Sequence, residues 1–178
     1  MLIACTPIVL EKEELEKNLS SKRFLSLNRL VTRGYPVTKI ELKYVEYLIL
    51  DCEIKLGKGL IDLLKGEKGQ ETSRIRLIGN GSTGSVSFLE AVPVTQTMEV
   101  PESVIQQKDY GPEDMKKEAG CVAAVVCRKL TGRRCQGIEL KEVYSIYRPF
   151  WAVYYGEPRK DGKILCCPYG ADGFTIKR

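Results

Sequence analysis

The sequence predicts an α+β protein made of two similar helix-plus-antiparallel-sheet units in tandem, related by an approximate two-fold pseudosymmetry. Three observations carry this expectation. The word IELK occurs at Ile40–Lys43 and again at Ile138–Lys141. A helix-like segment precedes each copy, closing on Leu30, Thr32 and Gly34 in the first and on Leu130, Thr131 and Gly132 in the second. An apolar run ending in G-x-x-G follows each, from Ile75 to Gly84 and from Ile164 to Gly173. Internal repetition of this kind is sought before any other organisation. It divides the chain into a first unit at residues 1–93, a connecting strand and linker at 94–111, and a second unit at 112–178.

The elements follow in order. The opening MLIACTP reads as a short first strand, since it has neither the charged segment nor the apolar stretch of a secretory signal. Residues 11–33 carry Leu15, Leu19, Phe24, Leu27 and Leu30 at helical spacing, with a break expected at Ser20–Ser21. From Ile40 to Leu56 the even positions are mostly apolar, while Glu41, Lys43, Asp51, Glu53 and Lys55 fall on the odd ones. That alternation is a strand with one buried and one wet face. It is long for a single strand, so a bend or bulge is expected near Glu46–Leu48. Val94 to Val100 alternates again before Pro101.

Pro112, with Glu113 and Asp114 behind it, opens a second helix, because a first-turn proline forfeits no hydrogen bond and carboxylates suit the positive end of the helix dipole. Met115, Ala119, Val122, Ala123, Val126 and Leu130 form its apolar stripe, and Gly132 ends it. The second long strand, Ile138 to Tyr155, has apolar residues on both faces and is expected to be the more central of the two. Each unit thus reads as a helix followed by four strands.

Gly79, Gly81 and Gly84 have the spacing of a dinucleotide-binding loop. Such a loop needs a helix after the glycines, whose N-terminal amides hold the pyrophosphate. Here the strand-forming Ser85-Val86-Ser87-Phe88 follows, and Pro93 stops any helix within about two turns. Both glycine corners are therefore expected to be tight hairpin turns, with Asn80 and Asp172 bonding locally.

The order helix, strands, glycine turn, strand resembles the PepSY-type and cystatin-like repeat families, whose late turn has the form D-x-x-T-G. The matching residues are Asn80-Gly81-Ser82-Thr83-Gly84 and Tyr169-Gly170-Ala171-Asp172-Gly173, and the resemblance covers most of 11–92 and 112–178. It implies a non-catalytic, inhibitory or ligand-binding module, often outside the cytoplasm.

Composition removes several function classes. The chain has 178 residues with 43% hydrophobic and 29% charged, a globular balance. It has no histidine, which excludes histidine triads, histidine metal ligands and imidazole proton shuttles. A net charge of +5 without a like-charge block argues against a dedicated nucleic-acid domain, although a weak nucleic-acid binder remains an alternative. The basic stretch Arg128–Cys135 reads as a solvated helix end. No apolar run reaches the roughly 18 residues of a membrane span.

Seven cysteines in no disulfide-framework spacing suggest a reducing, cytoplasmic setting; a soluble domain of a larger membrane-anchored protein is the alternative. Cys121, Cys127 and Cys135 with Cys166 or Cys167 lack zinc-knuckle spacing, so no metal is expected, and no cofactor.

The stretch YSIYRPFWAVYY, Tyr144 to Tyr155, holds the only tryptophan. Tyr, Trp and Arg are the residues that dominate interface hot spots. Tyr147, Arg148, Trp151 and Tyr155 are therefore the candidate ligand- or partner-binding residues. Phe150 and Val153 read as core, with Pro149 at a bulge or edge. The expected function is a non-catalytic binding or protein-interaction module with a protein or peptide partner. The alternative is a histidine-free enzyme using cysteine or carboxylate chemistry.

Overall fold

A computed structural model describes residues 1–20, 32, 34–57, 71–158 and 162–176. The fold is α+β. Among the described residues there are two α-helices, α1 (Lys12–Ser20) and α2 (Pro112–Thr131). The strands are β1 (Leu2–Cys5), β2 (Val37–Leu56), β3 (Thr72–Asn80), β4 (Val86–Phe88), β5 (Gln96–Glu99), β6 (Cys135–Tyr155) and β7 (Leu165–Gly170). They form one mixed seven-stranded sheet in the order β4-β3-β2-β6-β1-β5, with β7 also paired to β6. β2 and β6 lie side by side in the middle of this order, so β6 is central but no more so than β2.

The chain forms two compact units. One comprises Met1–Val45, Val94–Gln106 and Tyr147–Phe174; the other comprises Glu46–Pro93, Gln107–Ile146 and Thr175–Arg178.

In the first unit, β1 pairs antiparallel with β5, from Leu2↔Glu99 to Cys5↔Gln96, and runs parallel to β6 at Cys5↔Tyr147. β7 returns antiparallel along β6, from Phe150↔Gly170 to Tyr155↔Leu165. α1 starts with Glu13 and Glu14 and ends at Ser20, whose hydroxyl turns back to the Glu16 carbonyl at 2.9 Å. The expected break at Ser20–Ser21 and the rest of the expected helix, 21–31 and 33, lie outside the described residues. α1 buries Leu15 and Leu19 against Trp151, Val153 and Tyr155. Full burial of each leucine contributes about 1.5–3 kcal/mol. A smaller cluster of Ile3, Cys5, Tyr44 and Val100 lies elsewhere in the same unit.

In the second unit, β3 pairs antiparallel with β2 from Tyr47↔Asn80 to Lys55↔Thr72. α2 begins behind Gly111, whose amide is bonded by the Asp114 carboxylate at 2.7 Å, and ends at left-handed Gly132 (φ 68°). Its Met115, Ala119, Ala123, Val126 and Cys127 pack on Leu48, Leu50, Cys52, Ile54 and Leu77. On the opposite sheet face Ile49 and Ile78 are buried, while further along the ion pairs Asp51–Arg76 at 3.0 Å and Glu53–Lys141 at 3.1 Å are exposed to water.

Several expectations meet a different structure. β2 is one strand through Glu46–Leu48, where a bend was expected; its first part serves one core and its second part the other, which accounts for its length. Leu130 is 66% exposed despite its correct spacing, and Cys127 joins the buried stripe instead. Two strands, β6 and β7, follow α2 among the described residues, in place of the four expected. Pro149 sits inside β6, fully buried. Its carbonyl accepts from Ala171 N at 3.0 Å, just past the last β7 pair at Gly170, so the donor that proline lacks is not needed by the ladder.

The first glycine corner is the expected hairpin. β4 folds back on β3 with Leu77↔Phe88, Ile78↔Ser87 and Gly79↔Val86 in register. Asn80 Oδ1 accepts from Ser82 N at 2.8 Å, and Gly84 takes φ 70°. With a strand after the turn, no helix N-terminus faces a pyrophosphate. Gly79 has a packing role instead: a Cβ there would meet Met115 Sδ of α2, which would have to move. The second corner is not a hairpin, since no strand follows Gly173 among the described residues.

Candidate functional site

The four candidate residues all lie on β6 and in the first unit, and alternation sends them to two faces. Trp151 and Tyr155 face α1 and are 9% and 3% exposed. The Trp151 indole donates to the Leu10 carbonyl at 2.8 Å, and the Tyr155 hydroxyl lies 3.2 Å from that of Tyr169. Tyr147 is half-buried against the Ile3–Cys5–Tyr44–Val100 cluster, and its carbonyl accepts from Thr6 N at 2.9 Å.

Arg148 is buried on the other face, 4% exposed. It meets Asp172 through two hydrogen bonds, Nε to Oδ2 at 2.7 Å and Nη2 to Oδ1 at 2.9 Å. Nη2 also donates to the Phe174 carbonyl. The guanidinium lies 5.3 Å from the Phe150 ring centre and 4.9 Å from that of Phe174, within cation–π range. Asp172 accepts further bonds from Thr6 Oγ1 at 2.8 Å and Phe174 N at 3.2 Å. Burial alone pushes this carboxyl up. The bonds and charge of Arg148, with the Thr6 and Phe174 donors, outweigh burial and hold it below the usual aspartate value. Among the described residues, no buried side-chain nitrogen or oxygen lacks a partner.

The sequence reading assigned Asp172 a local turn role, and Phe174 N supplies that bond. It missed Asp172 as the counter-ion of Arg148. The signal was available: an arginine inside an apolar strand needs a carboxylate, because an unpaired buried charge is too costly.

Of the four residues, Tyr155 borders a cavity. A recess of about 490 Å³ is walled by Tyr35, Pro36, Tyr155, Pro158 and Leu165, with Thr38 and Glu157 as its polar groups. Tyr35, 49% exposed, lays its ring against left-handed Gly156. The Thr38 hydroxyl is within 3.3 Å of the Tyr154 and Gly156 carbonyls. The second unit has a recess of about 320 Å³ lined by Asp51, Arg74, Arg76, Phe88 and Leu130, among others. Its Arg76 is already paired with Asp51.

Four of the seven thiols are disfavoured as nucleophiles. Burial pushes Cys5, Cys166 and Cys167 up and Cys52 to about 11, so the reactive thiolate is disfavoured near neutrality. No group of three or more cysteine or acidic side chains among the described residues is placed to hold a metal. No helix among them is long and apolar enough to cross a membrane. No family model, no curated protein and no solved structure matches this chain.

Proposed function

We propose that the protein is a non-catalytic binding or protein-interaction module. The observation that carries this reading is the recess beside Tyr155 in the first unit. Its volume falls in the range of ligand sites, and its walls are aromatic, proline and leucine side chains with few polar groups. A half-exposed tyrosine beside Pro36 suits a peptide partner, because rigid aromatic surface binds at low entropic cost. The absence of catalysis is supported by the lack of histidine, the raised thiol values and the mutual engagement of Arg148 and Asp172. The cytoplasmic assignment rests on cysteines that are all free.

The duplicated origin belongs to the same reading. Among the described residues, each unit has a helix packed on part of β2 and part of β6, and each adds an antiparallel partner strand, β7 in one and β3 in the other. This shared plan, with the repeated IELK word, supports a tandem copy and the kinship with PepSY-type and cystatin-like repeats.

The test is an amide chemical-shift titration of the isotope-labelled chain with peptide and small-molecule libraries. The proposal expects shifts clustered at Tyr35, Thr38, Gly156 and Leu165 that vanish in Tyr35→Ala. Ligands that perturb only other surfaces would refute the assignment. Turnover of ester or thioester substrates that disappears on cysteine substitution would favour the enzyme alternative.

A further inference from the structure

We infer that the two halves of the sequence, residues 1–93 and 94–178, are each other's obligatory binding partners: the chain is a covalently joined, strand-exchanged pair. Among the described residues, each core cluster draws on both halves. In the first unit, α1 comes from the first half, and the fully packed surface beneath it, Trp151, Val153 and Tyr155, comes from the second. In the second unit the roles reverse. α2 comes from the second half and packs on Leu48, Leu50, Ile54 and Leu77 of the first.

The hydrogen bonds repeat the pattern. In the first unit, Trp151 Nε1 donates to Leu10 O at 2.8 Å, Val9 N to Ala171 O at 2.7 Å, and Thr6 Oγ1 to Asp172 at 2.8 Å. The β1–β5 ladder also joins one half to the other. In the second unit, Gly57 N donates to Arg134 O at 2.8 Å, Gly81 O accepts from Asp109 N at 2.9 Å, and Lys141 pairs with Glu53 at 3.1 Å.

Among the described residues of its own half, the apolar neighbours of α1 are partly buried ones such as Ile8, Ile40 and Leu42. The same is true of α2, which meets Cys135, Ile138 and Leu140. An isolated half would expose one face of its helix and one edge of its long strand. Those are the surfaces that element exchange between like segments covers in swapped dimers. The partner that fits either half is therefore the complementary half. If the duplication reading holds, a second copy of one repeat is the same kind of partner; the inference about the halves does not depend on it, nor on the recess beside Tyr155.

The experiment uses the full chain with a specific protease site inserted between Pro93 and Val94, where Val94 is 82% exposed. The inserted chain is first shown to match the parent in circular dichroism and Trp151 emission, then cut. The inference expects the two pieces to elute together at the volume of the uncut chain, with Trp151 emission unchanged. It also expects them to part only in denaturant and to recover the emission only when both are returned to buffer together. Trp151 belongs to the second half and its indole partner Leu10 to the first, so its emission reports the association directly. Pieces that elute apart, each folded, would overturn the inference. So would a cut chain that loses its fold, because the halves would then depend on their covalent link.

Discussion

Removing one partner of the Arg148–Asp172 pair should be among the most damaging single changes to this protein. Arg148→Met leaves the Asp172 carboxylate in a site where the Asp172 side chain is 1% exposed. Breaking a buried pair from one side costs about 3–5 kcal/mol, since the remaining charge is uncompensated. For a chain of this size each kcal/mol lowers Tm by about 2–4 °C, so the expected drop is about 6–20 °C. Asp172→Leu should cost a similar amount.

The double variant Arg148→Met/Asp172→Leu removes both charges. It still strands the Thr6 hydroxyl, the Phe174 amide and the Phe174 carbonyl, which bond to the pair. Unsatisfied buried groups cost about 1–3 kcal/mol each where no water reaches them. The double variant should therefore remain clearly destabilised, but by less than the sum of the two single variants, because it leaves no unpaired buried charge. Urea unfolding followed by Trp151 emission measures all three. Single variants that cost under about 1 kcal/mol, or a double variant equal to the sum, would refute the pair as a coupled buried unit. The pair also sets a pH dependence. The folded value of Asp172 is lowered, so its contribution is complete above the ordinary aspartate value of about 4. It fades as pH falls through the lower folded value. The gap in stability between wild type and Asp172→Asn should therefore close in acid, and a gap that widened there would contradict the assignment.

Two further predictions concern the glycine corner and the thiols. Gly79→Ala should destabilise by about 1–3 kcal/mol through overpacking against Met115, and Gly79→Ala/Met115→Ala should cost less than the sum, read by the same urea assay. Nucleotides should give no protection in either protein. In native labelling with a thiol reagent near neutral pH, exposed Cys121 should react first, while buried Cys5, Cys52 and Cys127 should react only on unfolding. Early modification of Cys52 in the folded protein would contradict its burial and raised value.

The local elements were legible because their signals are local. Pro112, Glu113, Asp114 and Gly132 mark the ends of α2 by chemistry that needs no tertiary context. The period-two alternation of Ile40–Leu56 located β2, and Asn80 with Gly84 marked the hairpin. What stayed hidden depends on partners distant in sequence. The exposure of Leu130 cannot be read from helical phase, because the phase is correct and the covering surface is missing. The length of β2 follows from its serving two cores, which no window along the chain reveals. Arg148 and Trp151 look alike as hot-spot candidates in the sequence. Only the placement of Asp172 and of the Leu10 carbonyl shows that their polar ends are engaged inward.

That each core is assembled from both halves of the sequence can be tested most directly by nuclear Overhauser contacts from two reporter side chains. The Trp151 indole should show contacts to Leu10 and Leu15, and the Met115 methyl should show contacts to Leu77 and Gly79. A Trp151 indole and a Met115 methyl that contact only residues of their own half, 94–178, would contradict the account.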